Sequence, residues 1–588
     1  MAHHQGFLSR LSKQERDTYE TKVAAADFYR ANRVPEEIER ALNELFLRKP
    51  PDVHGFLADH FANLSAPPRI IRLNGRQVYD SRGQPSVEVD VFCIVRNKER
   101  VRLGSHIRVT SSLKGLPSPG VQVTSAGVSG LLGPEELADH VTTAVQWIDE
   151  PLNNMLQGQS PFDQSEVDRA LSLMSFGVVF KNILMTDQNS SSVWGGGYIQ
   201  RLMSASPRHN ITNATNLTYV TAKKSKAAEK PIPPAEPPEP VLAGSLAIGS
   251  VSLAVAATGA QLRGVPLYRY IAALRAQFHI PVSLVTLLSC GKASPGKLSL
   301  LEEILLVPKA GQRVKQVLTI TMTLELQKEM IRIMNSATKV TPAALHDSGA
   351  PAVSFEKPEQ PLDLVGEACA NLGLALGTDI HLAANCAARE LMDYTKGKYE
   401  VTAGVFKSPD ELMDVYKTLV GKYTAVVALI DPFRREDREQ WEMLGNLIGG
   451  SCSLLSDVTQ ESRGPPLPGV RGHVLKHVHE TTVSDLILVS NEAFFENHFH
   501  SCVTSVSVSH AAALLPQAVG LGLDYVKLGG LSGAERMTKY NRLISIEEEL
   551  VQQGILGGFF PSFLCSSLNF SFSSWTEEKG TRQRERER

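Results

Sequence analysis

The chain has 588 residues, 43% of them hydrophobic and 21% charged, enough length and apolar content for about two to four packed domains. Its 60 Lys and Arg stand against 62 Asp and Glu, so no bulk field draws nucleic acid or an acidic membrane, and partners must be recognised locally. Seven cysteines without a CxxC pair argue against a secreted disulfide framework or a zinc ribbon. The opening residues carry no apolar run of the kind a secretory signal needs, and the expected compartment is the cytosol.

Residues 1–66 read as a self-contained helical module, ended by Pro67-Pro68. Pro35 suits a first helical turn, and Ile38, Leu42 and Leu45 follow on one face. Pro50-Pro51-Asp52 supplies a break and an N-cap, after which Val53, Phe56, Leu57, His60, Phe61 and Leu64 repeat at helical spacing. Two short amphipathic helices cannot bury both stripes alone. They form either a hairpin packed on the main body or a paired module. The segments VPEEIERALNEL and RKPPDVHGFLADHF resemble dimerisation and docking modules of the regulatory-subunit and DPY-30 type, which pair into a bundle whose groove takes an amphipathic helix from an anchoring protein.

Residues 67–203 begin rich in strands and continue with helices, forming the first part of an α+β domain. Residues 204–240 combine polar, charged and proline-rich stretches that cannot build a packed core, and are expected to be a disordered insertion. Residues 241–280 complete the domain. Within them the uncharged stretch Val241 to Leu262 is long enough to raise a membrane span, but Gly, Ala, Ser and Thr dominate it and gain little from lipid, so a buried soluble helix is expected. From 281 to 553 apolar runs alternate with helical patterns, as repeated β/α units do. Residues 554–588 form an irregular tail of mixed charge.

Three separated motifs carry a resemblance. RQVYDSRGQPSVEVDVF (76–92), LAIGSVSLAVAATGAQLRGVPLYRYIAAL (246–274) and ERMTKYNRLISIEEEL (535–550) resemble the opening hairpin, the domain-closing helices and the last barrel helix of the enolase family. The resemblance implies an α/β fold in which a (β/α)8 barrel follows an α+β cap and the short helical module. It implies a homodimer, Mg2+ as cofactor, and phosphopyruvate hydratase activity: dehydration of 2-phosphoglycerate to phosphoenolpyruvate in glycolysis. The added amino-terminal module is similar to a sperm-type branch of the family, which implies a place in the flagellum and its fibrous sheath.

By the same resemblance Lys476, in HVLKHVHETTVSD, matches the base that removes the C2 proton; burial at an apolar strand end can lower a lysine pKa as that role requires. Lys527, in DYVKLGGL, matches a substrate-contacting lysine, and its neighbouring glycines would allow close approach of an anionic ligand. Glu303, in SLLEEILLVP, matches a carboxylate ending an early barrel strand, with Glu302 in place of the usual glutamine.

Other positions depart from the family pattern. Ser348 stands where a glutamate protonates the leaving hydroxyl, with Asp347 beside it, and a serine hydroxyl is far too weak an acid. Of the three Mg2+ carboxylates, the first position holds Asn385, the second Ile430 beside Asp431, and the third falls on Ser456 or Asp457; Asp457 is the remaining candidate ligand for a cation that prefers oxygen. The serine loop is unrecognisable, although Ser111 and Ser112 offer hydroxyls, and the phosphate-binding loop is missing from SCVTSVSVSH. His473, His477 and His479 alternate as a zinc-binding strand face would, or are an incidental cluster. Two functions follow as expectations: an enolase-type lyase, or a catalytically impaired barrel serving as a structural body in the flagellum.

Overall fold

The computed structural model describes residues 12–79, 85–101, 134–174, 244–275, 280–291, 294, 296–309, 314, 321–337, 344–346, 348–458, 467–475, 481–495, 501–505 and 511–555. The chain divides into two compact units, one of Met1–Arg69 with Cys93–Arg100 and one of Ile70–Phe92 with Val101–Arg588.

Among the described residues of the first unit three helices appear where two were expected. Helix α1 (Lys13–Ala31) starts at a capping box: Ser12 accepts from the Glu15 amide while the Glu15 carboxylate accepts from the Ser12 amide. It has no buried residue, so no apolar stripe marks it in the sequence. Helix α2 (Val34–Arg48) carries Pro35 in its first turn, and Asp52 caps α3 (Val53–Leu64) by accepting from Gly55 N. Ala41 is buried, Arg48 lies over the Phe56 ring at 6.0 Å, and His60 meets Glu44 at 3.4 Å. Much of the apolar stripe stays open: Leu42 is 53%, Phe46 72% and Phe61 41% exposed.

In the second unit strands β1 (Arg69–Tyr79) and β2 (Pro85–Val95) neighbour each other in a sheet, and Val87, Val89 and Val91 are buried. Helix α4 (Pro134–Trp147) and a helix over 164–174 precede α5 (Leu246–Leu262) and α6 (Leu267–Arg275). Fourteen of the seventeen residues of α5 are buried, as small side chains in close helix packing require. Among the described residues no single helix is long and apolar enough to cross a membrane; α5 and α6 qualify only as a pair bent by 104°.

Eight strands then form a ring: β3 (Val282–Ser289), β4 (Glu303–Pro308), β5 (Ile380–Asn385), β6 (Val426–Ile430), β7 (Ser453–Val458), β8 (Val470–Leu475), β9 (Ser501–Ser505) and β10 (Tyr525–Gly529), with β10 pairing back onto β3. Leu284, Leu305, Val307, Ala383, Val427, Leu455, Val474 and Tyr525 fill the interior. The expectation of uniform β/α units is corrected at one strand. Both ladders of β4 are antiparallel and the remaining six are parallel. Among the described residues no helix lies between β3 and β4, and without a crossover the second strand can only run back.

Outer helices include α7 (Thr321–Ala337), α8 (Gln360–Leu372), α9 (Pro409–Lys422), α10 (Arg438–Ile448), α11 (Val483–Phe495), α12 (Ala511–Gly520) and α13 (Ala534–Gln552). A polar joint ties the cap to α11. Asp168 accepts from Ser484 N at 2.9 Å and Ser484 Oγ at 2.6 Å, Ser252 Oγ accepts from Val483 N at 2.9 Å, and Gln164 donates to Asp168 at 2.9 Å. Burial pushes the Asp168 carboxyl up against the opposing effect of these bonds, and they satisfy two amides of the α11 amino terminus.

A second buried joint follows β6. Arg434 binds Asp437 through Nε at 2.9 Å and Nη2 at 3.0 Å. Tyr399 donates to the same carboxylate, and Trp441 Nε1 donates to Arg434 O at 3.0 Å. Arg434 is 1% exposed, so removing Asp437 takes the carboxylate from a buried, doubly bonded ion pair. Asp437→Ala is expected to lower the unfolding free energy by about 3–5 kcal/mol in urea titration; a loss under about 1 kcal/mol contradicts that account.

Candidate active site at the barrel mouth

Strand alternation places a layer of residues one step above the apolar interior. Glu303 precedes interior Leu305 and Val307 by two and four residues, Asn385 follows Ala383 by two, Ile430 is itself an interior residue, Asp457 follows Leu455 by two, and Lys527 follows Tyr525 by two. In the register Glu303 pairs with Asn385 and Asn385 with Ile430, whereas Asp457 stands beside Val474 and Lys527 beside Leu284. Because β4 runs backwards, Glu303 opens its strand instead of ending one, as the sequence led us to expect. It thereby stands level with the carboxyl ends of its neighbours, where barrel chemistry is built.

Glu303 and Lys527 form an ion pair that spans β3, the strand between theirs. Asn385 Nδ2 donates to Glu302 Oε2 at 2.9 Å and to Glu303 Oε2 at 3.3 Å. Glu303 is 6% exposed. Burial raises its carboxyl, but the Lys527 charge and hydrogen bond, the Asn385 bond and the nearby His346 together hold it below the usual glutamate value.

The glycines beside Lys527 serve a different neighbour from the one expected. A Cβ at Gly530 would stand 2.2 Å from Gly349 O, and Gly529, at φ +91°, would place one 2.9 Å from Ser348 O. They admit the backbone of the Ser348 loop, held by Gly530 N donating to Ser348 O at 2.7 Å and Ser532 N to Gly349 O at 3.2 Å. The ligand role for these glycines is thus replaced by a packing role. Tyr540 of α13 supports the same turn, donating to Gly529 O at 2.9 Å. Ser348 Oγ lies 3.2 Å from His346 Nδ1, which also accepts from Ser348 N at 3.1 Å.

His346 was not singled out in the sequence; its place in HDSGAP, two residues from the acid-bearing position, was the available signal. Cys290 was missed as well. It follows β3, and burial first and the Glu303 charge second push its thiol well up, so it is no nucleophile.

Lys476, Asp347, Ser111, Ser112, His477 and His479 lie outside the described residues. Strand β8 ends at Leu475, one residue before Lys476. His473 pairs with Ser456 and Cys502, out of step with interior Val474.

The residues at the Mg2+ positions do not fit that cation. Asn385 is an amide whose nitrogen faces two carboxylates, Ile430 is an alkyl side chain 5% exposed in the barrel interior, and of Ser456 and Asp457 the latter shares the interior register. One carboxylate position remains of three, against a cation that takes hard, charged oxygen. Asp431, next to Ile430, takes φ +48° and donates its amide to Leu455 O at 2.9 Å.

Comparison with known proteins agrees with this architecture. The family described as "Enolase, C-terminal TIM barrel domain" matches residues 277–560. The chain is 44% identical over 563 residues to a Danio rerio protein named Enolase 4, covering 93% of this chain and 94% of that one. It is 40% identical over 565 residues to Enolase 4 of Xenopus tropicalis, covering 93% and 94%, and 38% identical over 581 residues to Enolase 4 of Homo sapiens, covering 92% and 90%. Barrel, cap motifs and near full-length similarity together establish that the chain belongs to the enolase family.

Proposed function

We propose that the chain is an enolase-type carbon–oxygen lyase that interconverts 2-phosphoglycerate and phosphoenolpyruvate at the carboxyl end of its barrel. The observation that carries this reading is the Glu303–Lys527 pair in the layer above the apolar interior. Lys476, which follows the last residue of β8 in the sequence, is the lysine that the family resemblance assigns as base. The Lys527 ammonium attracts an anionic substrate, which competes with Glu303 for it, and Glu303 orients the substrate from the other side. No step is assigned to a metal ion, because the ligand positions do not fit one. Ser348 is too weak an acid to protonate a leaving hydroxyl; Asp347, beside it, is the carboxyl group available for that step.

A second reading is favoured by Ile430 and Asn385, which remove two of the family's charged groups. In it the barrel is a structural body, and residues 1–66 dock it, as a dimer, onto an amphipathic helix of an anchoring protein in the sperm flagellum. The exposed stripe of Leu42, Phe46 and Phe61 supports the docking part.

In a coupled assay with purified protein and 2-phosphoglycerate, the lyase reading expects turnover that Lys476→Ala abolishes; no turnover of the wild type, with or without Mg2+, contradicts it. In pull-downs with an amphipathic anchoring helix, Leu42→Asp or Phe56→Asp is expected to abolish capture. Undiminished binding by both variants overturns the docking assignment.

A further inference from the structure

We infer that the chain's own nitrogen donors, the Lys527 ammonium and the Asn385 amide, take the place of a resident divalent cation at the barrel mouth. This stands on the geometry of the site and holds whether or not the lyase reading survives.

Two adjacent carboxylates, Glu302 and Glu303, sit at the start of β4. Each accepts a nitrogen donor: Glu302 accepts from Asn385 Nδ2 at 2.9 Å, and Glu303 accepts from Lys527 and from Asn385 at 3.3 Å. The Asn385 amide therefore bridges both acids. A carboxylate at position 385 would face these two oxygens as a third negative group, and only a cation between them would make that arrangement tolerable. The amide reverses the requirement, since it donates where a carboxylate would repel. Lys527 supplies the positive charge, and it is only 18% exposed at the side chain, so its charge acts at short range in a partly dry setting.

For Mg2+ to enter, the Lys527–Glu303 pair must separate, the Asn385 amide must turn its oxygen inward, and a doubly charged ion must settle beside an ammonium. Ile430 offers nothing in return, because it lies in the apolar interior. Each step opposes binding, and together they make the site self-neutralising.

The test is thermal unfolding of the full-length chain after dialysis against EDTA, with millimolar MgCl2 compared against NaCl of equal ionic strength. The wild type is expected to melt at the same temperature in both. Lys527→Met removes the internal cation while keeping the side-chain length, and is expected to melt lower in NaCl and to recover part of the loss in MgCl2. Asn385→Asp is expected to gain a similar Mg2+-dependent rise. A saturable, EDTA-reversible rise in the wild type overturns the inference, and so does the absence of any Mg2+ response in both variants. Should the variants not fold, Mn2+ binding to the wild type read by electron paramagnetic resonance decides the matter: free Mn2+ throughout supports it, and stoichiometric capture refutes it. Turnover enters none of these readouts, so an inactive protein fails the lyase reading without touching this one.

Discussion

Closing a ring of strands with one member reversed brings a strand's first residue level with the last residues of its neighbours. Glu303 is that first residue, and its pairing with Lys527 across β3 is the constraint on which the barrel mouth depends. A carboxylate so deeply buried is tolerable only with a charged or strongly donating partner. The site therefore needs β10 seated correctly against β3, and β10 is seated by the turn that Gly529, Gly530, Ser348 and Tyr540 build behind it. The fold and the site are thus coupled through one ion pair and one close backbone crossing.

Much of this was legible in the residues. Alternating valines in β2, the small-residue helix α5 and the motif in α13 located the family's main landmarks, and Glu303 and Lys527 do lie on barrel strands, although Glu303 begins its strand where the motif had it ending one. The direction of β4 was not legible, because an apolar run such as EILLVP carries no record of which way it points. The glycines after Lys527 were read as room for a ligand, whereas they make room for the Ser348 loop: glycine signals close approach, not the identity of what approaches. Helix α1 escaped notice because it buries nothing, so only its Ser12–Glu15 cap distinguishes it. The Arg434–Asp437–Tyr399 joint escaped for another reason: its members are 3 to 38 residues apart, and only tertiary packing makes them partners.

Departures from the family pattern follow a physical order. Replacing a ligand carboxylate by an amide at 385 and by an alkyl group at 430 removes negative charge, and Glu302 and Glu303 accept from donors already present. The change leaves a mouth that is stable on its own, in contrast to one whose clustered acids wait for an ion. What such a mouth retains is an ammonium held against a carboxylate above an apolar floor, a place where an anionic ligand can be exchanged for an internal one.

A double-mutant cycle tests the Glu303–Lys527 constraint most directly. Unfolding free energies of the wild type, Glu303→Gln, Lys527→Met and the double variant should give a coupling of more than about 1 kcal/mol between the two residues. Additivity to within about 0.5 kcal/mol would contradict it, for the pair would then be a neighbourly contact and not the bond that holds the barrel mouth together.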